Sequence, residues 1–342
     1  MTTTAGLDVG GAHLKVALVE DGRVVAVEQI VCPLWQGMDK LDAALSQAAP
    51  LLRLASRHAV TMTGELSDVF PDRRTGVETL VVRLARELGP ETRFWMGIQG
   101  FGNAGQAGQN PAHVGSTNFL AAAALIGRYH AEALLIDFGS TTTDIVPIIG
   151  GRAAPRGLTD PDRLATGELV YTGLTRTAVM GIASYATFKG RRQGLAREYL
   201  ATMADVRRIM GELPDGVDQH ATADGRGKSL EESVARFARM FGRDAADGSL
   251  EDWKVSAAEI GEAQMSSIQE GCRSVLAATP IDAAAPVITA GIGADAVAAL
   301  ALRLDRTSMT FGTMIGADPD CRDAATHSAP AVAVAALLDR GL

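Results

Sequence analysis

One arrangement of apolar and polar positions occurs twice along the chain. Leu7 to Val19 (LDVGGAHLKVALV) and Leu134 to Ile148 (LLIDFGSTTTDIVPI) each read as an apolar strand with an aspartate near its end, a tight turn, and a second apolar strand. RVVAVEQIV adds a further strand after Asp21-Gly22, because Asp-Gly between apolar runs favours a two-residue hairpin turn. Helical spacing marks MDKLDAALSQAAPLLRLA (38–55) and TGVETLVVRLARELG (75–89), the latter stopped by Gly89-Pro90. AVTMTGELSD (59–68) reads as a short buried strand ending in a polar loop, and RFWMGIQ (93–99) as another strand. The Gly-, Asn- and Gln-rich stretch Gly100 to Gly115 reads as a mobile polar loop able to cover a site. A helix follows in STNFLAAAALIGRY, with Ser116 or Thr117 as its cap.

After the second strand pair the pattern is mostly helical from about 163 to 278, with polar loops around DGVDQHATADGRGK (215–228). The chain returns to a strand in APVITAG (285–291), then helix ADAVAALALRL, a strand SMTF, and a last Ala-rich helix from about 321 to 340. This alternation predicts an α/β protein with a first lobe at 1–130 and a second at 131–320 that carries a helical insert at about 163–278.

A chain of 342 residues is long enough for two separate cores, and 47% hydrophobic residues with a mean hydropathy of +0.10 fit a well-packed protein. A net charge of −8 argues against a nucleic-acid-binding surface. Cys32, Cys272 and Cys321 form no CxxC pair, so neither a disulfide framework nor a zinc knuckle is expected. MTTTAGLDVG lacks the basic and apolar regions of a secretion signal, and no apolar run approaches the roughly 20 residues that span a bilayer. The expectation is a cytoplasmic enzyme or nucleotide-dependent machine without a membrane partner.

The repeated turns carry the chemistry. Glycines let backbone N–H groups approach an anion closely, and consecutive hydroxyls add donors. Gly10, Gly11 and Lys15 in the first turn, and Gly139, Ser140, Thr141 and Thr142 in the second, make a candidate clamp for a di- or triphosphate. Asp8 and Asp137, each beside its turn, are placed to hold a phosphate-bound Mg²⁺. An ordinary hairpin would explain the first turn alone; a string of hydroxyls between two apolar strands has little structural motive.

Other matches are weaker. DFG lacks the companion motifs of a protein kinase. GFGNAG (100–105) is not followed at once by a helix as a dinucleotide fold requires, and GRGKS (225–229) lacks the first glycine of a Walker loop. TAGIGAD (289–295), a strand-to-helix turn, lets Gly291 and Gly293 admit a flat ligand or phosphate, or simply pack helix on strand. His113 is a candidate substrate contact, and so is His13 in the first turn. Glu168 in GELVYTG could act as a base or as a helix-end acid, and Asp144 as a second metal-associated carboxylate or a hairpin residue.

The order of these motifs resembles the sugar kinase, Hsp70 and actin superfamily, in which two ribonuclease-H-like lobes close around a nucleotide. That resemblance implies that the last helix, about 321–342, packs back on the first lobe. Read together, GLDVGGAHLK, TMTGELSD, the loop leading to STNFLA, LLIDFGSTTTDIVPI, GELVYTG and ATMADVRRIMGEL…TADGR resemble one family, from Gly6 to about Ala294. It is the hydantoinase/oxoprolinase-related family of tetrahydromethanopterin-linked one-carbon metabolism, whose archaeal members include the methanofuran-biosynthesis synthase. ATP-using relatives carry a Gly-Gly pair where this chain has Gly291-Ile292-Gly293, which is compatible with loss of ATP use.

The resemblance implies a transfer in methanofuran or methylofuran synthesis. The phenol oxygen of a glutamylated tyramine, or a tyrosine equivalent, displaces diphosphate from an aminomethylfuran-methyl diphosphate, with Mg²⁺ and without ATP. It assigns Mg²⁺ to Asp8 and Asp137, and the diphosphate to the two turns and Lys15. The phenol proton goes to Glu168 or Asp144, with Glu65, Asn118 and His113 on the acceptor side. The partners are small molecules; a homodimer is left open. The turns alone fit two rivals equally, an ATP-dependent small-molecule kinase or ATPase and a non-enzymatic ATP-binding switch.

Overall fold

The structure is a computed structural model that describes residues 3–341. The first lobe opens with a meander of β1 (Thr3–Val9), β2 (His13–Glu20) and β3 (Arg23–Val31), followed by α1 (Met38–Leu52) and β4 (Arg57–Met62). Then come α2 (Arg73–Leu88), β5 (Arg93–Trp95), β6 (Phe101–Gly102), α3 (Ala104–Gln109), α4 (Pro111–Val114) and α5 (Asn118–Ile126). The sheet order is β3-β2-β1-β4-β5-β6, with β4 parallel to β1 and to β5. Asp21 and Gly22 turn the β2–β3 hairpin with φ of 47° and 81°, as the Asp-Gly pair predicts.

The second lobe repeats this plan. It contains β7 (Ala133–Phe138), β8 (Thr143–Ile149), β9 (Arg152–Ala153), α6 (Asp160–Thr166) and β10 (Leu169–Val170). The insert adds the hairpin β11 (Tyr185–Phe188) and β12 (Arg191–Gly194), then α7 (Met203–Met210), α8 (Leu230–Met240) and α9 (Leu250–Ala278). The chain finishes through β13 (Val287–Ala290), α10 (Ala294–Arg303), β14 (Ser308–Thr310), α11 (Phe311–Met314), α12 (Arg322–His327) and α13 (Ala329–Asp339). The sheet order is β10-β8-β7-β13-β14, with β9 also pairing β8, so the strand sequence of the first lobe recurs as two ribonuclease-H-like lobes.

α5 and α13 join the two halves. Their side chains share one core with Ala133, Leu135 and Val146 of the second sheet and with Ala17 and Val19 of the first. Residues Ala329 to Leu338 are buried all round, the pattern of a helix enclosed by protein. α13 lies across β1, β2 and β4. The insert has its own core around Trp253, Phe188, Phe237 and Phe241.

Several expected elements differ. The stretch 100–115 is not a mobile loop: α3 and α4 occupy it, and Asn103 and Gln106 cap α3 reciprocally. The last helix breaks at His327-Ser328 into α12 and α13, with Pro330 starting the second piece. The strand expected at 93–99 stops at Trp95, whereas the short strand and following loop expected at 59–68 form as β4 and the turn Gly64–Leu66. The insert, expected to be helical, carries the β11–β12 hairpin, turned by Lys189 and Gly190 with φ of 48° and 74°. Ser229 of GRGKS is the N-cap of α8, paired with Glu232. Among the described residues no helix is long and apolar enough to cross a membrane.

Candidate functional site

The two turns face each other across one cavity of about 550 Å³, and they are equivalent residue by residue. Asp8 pairs with Lys15 across β1–β2, and Asp137 with Asp144 across β7–β8. The Gly10 N–H donates to the His13 carbonyl at 2.9 Å, and the Gly139 N–H to the Thr142 carbonyl at 2.9 Å. The offset is constant, since 137 − 8, 139 − 10, 142 − 13 and 144 − 15 all equal 129. Each turn therefore aims its aspartate and its central N–H groups at the same space.

Gly10 and Gly139 do not supply free donors, because their amides close the turns. Among the described residues the N–H groups of Gly11, Ala12, Ser140 and Thr141 have no protein acceptor and remain available to an anion. Arg176, which the sequence did not single out, adds a cation. Its Nη1 donates to Thr141 Oγ1 at 3.1 Å, and its guanidinium lies 4.8 Å from the centre of the Trp35 ring. No carboxylate pairs with it among the described residues, so it is a half-buried positive charge at the wall of the cavity.

Asp8 is 6% exposed, and its Oδ1 has no hydrogen-bond partner. Asp137 is partly open at the cavity floor. Burial lifts the Asp8 carboxyl from 3.8 to about 6, with Lys15 pulling it down and Asp144 pushing it up. Burial likewise lifts Asp137 to about 7, again against Lys15. Lys15 itself donates to the His327 carbonyl at 2.8 Å.

The sign of the pH effect follows. An unfolded aspartate titrates near 3.8, so between about pH 4 and 7 the folded state holds protons that the unfolded state has released. These two carboxyls therefore contribute stability at low pH that is lost as pH rises through that window. His13 and His220 act in the opposite sense, because burial lowers them to about 2 and about 4 and keeps them neutral. The clean readout is a difference: the thermal midpoint of Asp8→Asn minus wild type should grow from pH 5 to pH 8. A difference independent of pH would contradict the buried ionised Asp8.

The segments around the turns are supports. Glu168 is not a free base. It is fully buried, one carboxylate oxygen accepts from the Arg156 N–H at 2.7 Å, and the other accepts from the Gly157 N–H at 2.9 Å and the Thr166 hydroxyl at 3.0 Å. GELVYTG instead braces the second turn. A Cβ on Gly173 would lie 2.2 Å from the Ser140 carbonyl carbon, so only glycine allows that approach, and Leu174 N–H donates to Gly139 O. Asp144 does line the cavity, but its Oδ1 is committed to Arg163 at 2.6 Å. Arg163, another residue the sequence did not mark, is buried with its guanidinium 3.6 Å from the Phe119 ring centre.

Gly291 and Gly293 do not admit a ligand. A Cβ on Gly291 would strike the Phe138 carbonyl at 2.4 Å, and one on Gly293 the Phe138 ring at 2.2 Å, so this turn packs α10 onto β7. His113 sits in α4 and lines neither cavity. Thr117 is the N-cap residue of α5, as expected, but neither hydroxyl caps the helix: that of Thr117 donates to Val114 O and that of Ser116 to Glu65. Asn118 lines the cavity and helps hold the Asp8 carboxyl down, while Glu65 lies buried behind Ser116.

A second cavity of about 450 Å³ adjoins the first and shares Trp35 and Arg176 with it. Tyr199 and His220 also line it. The insert reaches the first lobe here, through the His13 and His220 rings at 4.6 Å between centres and a Gln29–Gln219 hydrogen bond of 3.2 Å. Among the described residues no three His, Cys, Asp or Glu side chains converge closely enough to hold a metal by themselves.

Comparison with known proteins places this architecture among relatives. The hydantoinase/oxoprolinase family matches residues 56–339. The chain is similar to the (4-{4-[2-(gamma-L-glutamylamino)ethyl]phenoxymethyl}furan-2-yl)methanamine synthase of Methanocaldococcus jannaschii, at 30% identity over 237 residues, 69% of this chain and 70% of that one. The synthase of the same name from Methanococcus vannielii is 32% identical over 110 residues, 32% of this chain and 49% of that one. Among solved structures, nucleotide-free acetone carboxylase matches with a TM-score of 0.53 at 10% identity, over 85% of this chain and 65% of that one, a likeness of fold alone. Component A of the (R)-2-hydroxyglutaryl-CoA dehydratase of Acidaminococcus fermentans gives a TM-score of 0.48 at 12% identity, covering 100% and 99% of the two chains.

Proposed function

The chain belongs to the hydantoinase/oxoprolinase family, with the furan-methanamine synthases among its relatives, and on that premise we propose that it is a transferase of methanofuran-type coenzyme synthesis. It joins a phenolic oxygen to a furan-methyl carbon and releases diphosphate. The observation that carries this reading is the pair of equivalent turns, each presenting an aspartate and free N–H groups to one cavity.

A diphosphate leaving group gains negative charge on its bridging oxygen as the carbon–oxygen bond breaks. Donors already aimed at that charge lower the barrier, because they need no reorganisation during the step. Gly11, Ala12, Ser140 and Thr141 supply N–H groups, and Lys15 and Arg176 supply positive charge. The furan ring stabilises positive charge at the reacting carbon, so a strong base is not required. The adjoining cavity gives a two-substrate reaction room for the second molecule.

Mg²⁺ fits this donor set. Asp8 Oδ1 is a buried carboxylate oxygen without a partner, and Asp137 faces the same space. Two carboxylates fall short of a full shell, as is usual for a cation that completes its octahedron with water and phosphate oxygens. When bound, it would neutralise charge on the diphosphate. Asp8 and Asp137 must be ionised to hold it, so binding should weaken as pH falls below about 7.

A thermal-shift titration tests the clamp. Mg²⁺ with inorganic diphosphate should raise the thermal midpoint, and more at pH 8 than at pH 6. Saturation at about a hundred times Kd corresponds to roughly 2.7 kcal/mol of stabilisation. No shift at millimolar Mg²⁺-diphosphate at either pH would overturn this use of the turns.

A further inference from the structure

With Glu168 engaged by backbone, the cavity needs another acceptor for the hydroxyl proton. Asp144 is held by Arg163 and Asp160 by Arg73, each at 2.6 Å, and Asp68 lies exposed at the rim. Glu65 differs from all three. It is 1% exposed, its Oε1 accepts from the Ser116 hydroxyl at 2.7 Å, and its Oε2 has no partner.

Ser116, itself buried at 7% exposure, is the end of this pair that lines the cavity, two residues before Asn118, which lines it too. Its backbone is in the left-handed region, φ 53°, which a serine rarely adopts. The Ser116 N–H is fixed to the Met62 carbonyl at 3.1 Å at the end of β4. A strained residue held in place at a cavity wall is the usual mark of a side chain whose direction matters.

We propose that Ser116 and Glu65 form the proton relay of the transfer, an inference that rests on the transferase reading. A lone pair of the acceptor oxygen forms the new bond to the furan methylene carbon, and the electron pair of the old carbon–oxygen bond leaves with diphosphate. The acceptor's hydroxyl proton passes to Ser116 Oγ, and the Ser116 proton passes to Glu65. Ser116 touches the substrate, whereas Glu65 acts through it.

The surroundings of Glu65 suit that role. Burial raises its carboxyl above the ordinary range; the Ser116 hydrogen bond and Arg73 of α2, 3.9 Å away, work against this, and Asp160 of α6 adds to the rise. A buried carboxylate of raised basicity holds a proton it receives more firmly than an exposed one, which suits a proton acceptor.

Turnover of wild type, Glu65→Gln and Ser116→Ala is measured with furan diphosphate, Mg²⁺ and two acceptors, tyramine and a ring-fluorinated tyramine whose phenol is more acidic. Glu65→Gln should lower kcat by about a hundredfold or more with tyramine and leave KM for the furan diphosphate nearly unchanged. Its deficit should shrink with the fluorinated acceptor, which gives up its proton more readily. Ser116→Ala should follow the same acceptor dependence. An equal deficit with both acceptors would overturn the relay. Wild-type turnover with Glu65→Gln unimpaired would remove the relay alone, whereas no ether from wild type would remove the transferase reading and the relay with it.

Discussion

Replacing Asp137 with asparagine is expected to lower turnover by about a hundred- to a thousandfold, roughly 2.7–4 kcal/mol of barrier, while making the ligand-free protein more stable at pH 8. The two signs come from one cause. Burial raises the Asp137 carboxyl to about 7, so the fold sustains an ionised group it would be more stable without. Asparagine keeps the shape and removes the charge, giving a gain on the order of 1–3 kcal/mol at pH 8 that shrinks as pH falls below about 7 and disappears below about 4. A residue kept for packing would show the reverse, with lower stability and activity reduced only in proportion. Thermal midpoints at two pH values beside kcat measure both signs; full activity, or destabilisation at pH 8, would refute the assigned role.

Lys15→Met is expected to have an effect of similar size by a different route. Lys15 faces Asp8 across the hairpin and holds down the carboxyls of both Asp8 and Asp137. Without it both should keep their protons to higher pH, and the diphosphate also loses a charged donor. Turnover should fall by about 10²–10³, and the pH at which activity appears should move upward. Losing the part-buried bond to the His327 carbonyl should cost about 1.5–3 kcal/mol of stability, which a fold of this size tolerates. A pH–rate profile that drops without shifting would mean that Lys15 does not set the charge of the aspartates.

What could be read from the sequence was the repeat. An Asp, a turn and a second strand recurring at a fixed offset is a local pattern, and strand register then makes Asp8–Lys15 and Asp137–Asp144 cross-strand partners without further information. Arg163 and Arg176 were not readable, because their importance lies in where tertiary packing puts them, on Asp144 and Phe119 in one case and on Thr141 and Trp35 in the other. Glu168 misled because a sequence cannot show that two backbone N–H groups occupy a carboxylate. Gly291 and Gly293 misled for a related reason: glycine that admits a ligand and glycine that admits Phe138 look alike along a chain.

Some missed elements did leave a signal. Asn103 followed three residues later by Gln106 is a capping box, and it starts α3 inside a stretch whose glycine content suggested a loop. YATFKGRRQG places a glycine turn between short runs, and the β11–β12 hairpin forms there. In both cases the position of particular residues, not the composition of the stretch, marks the element.

The central claim is that the paired turns hold a diphosphate that leaves from carbon. The most direct measurement supplies the protein with Mg²⁺, the aminomethylfuran-methyl diphosphate and a phenolic acceptor, with no ATP, and follows ether product and free diphosphate together. Both should form in equal amounts. Ether formation that requires ATP, or ADP release without ether, would contradict it.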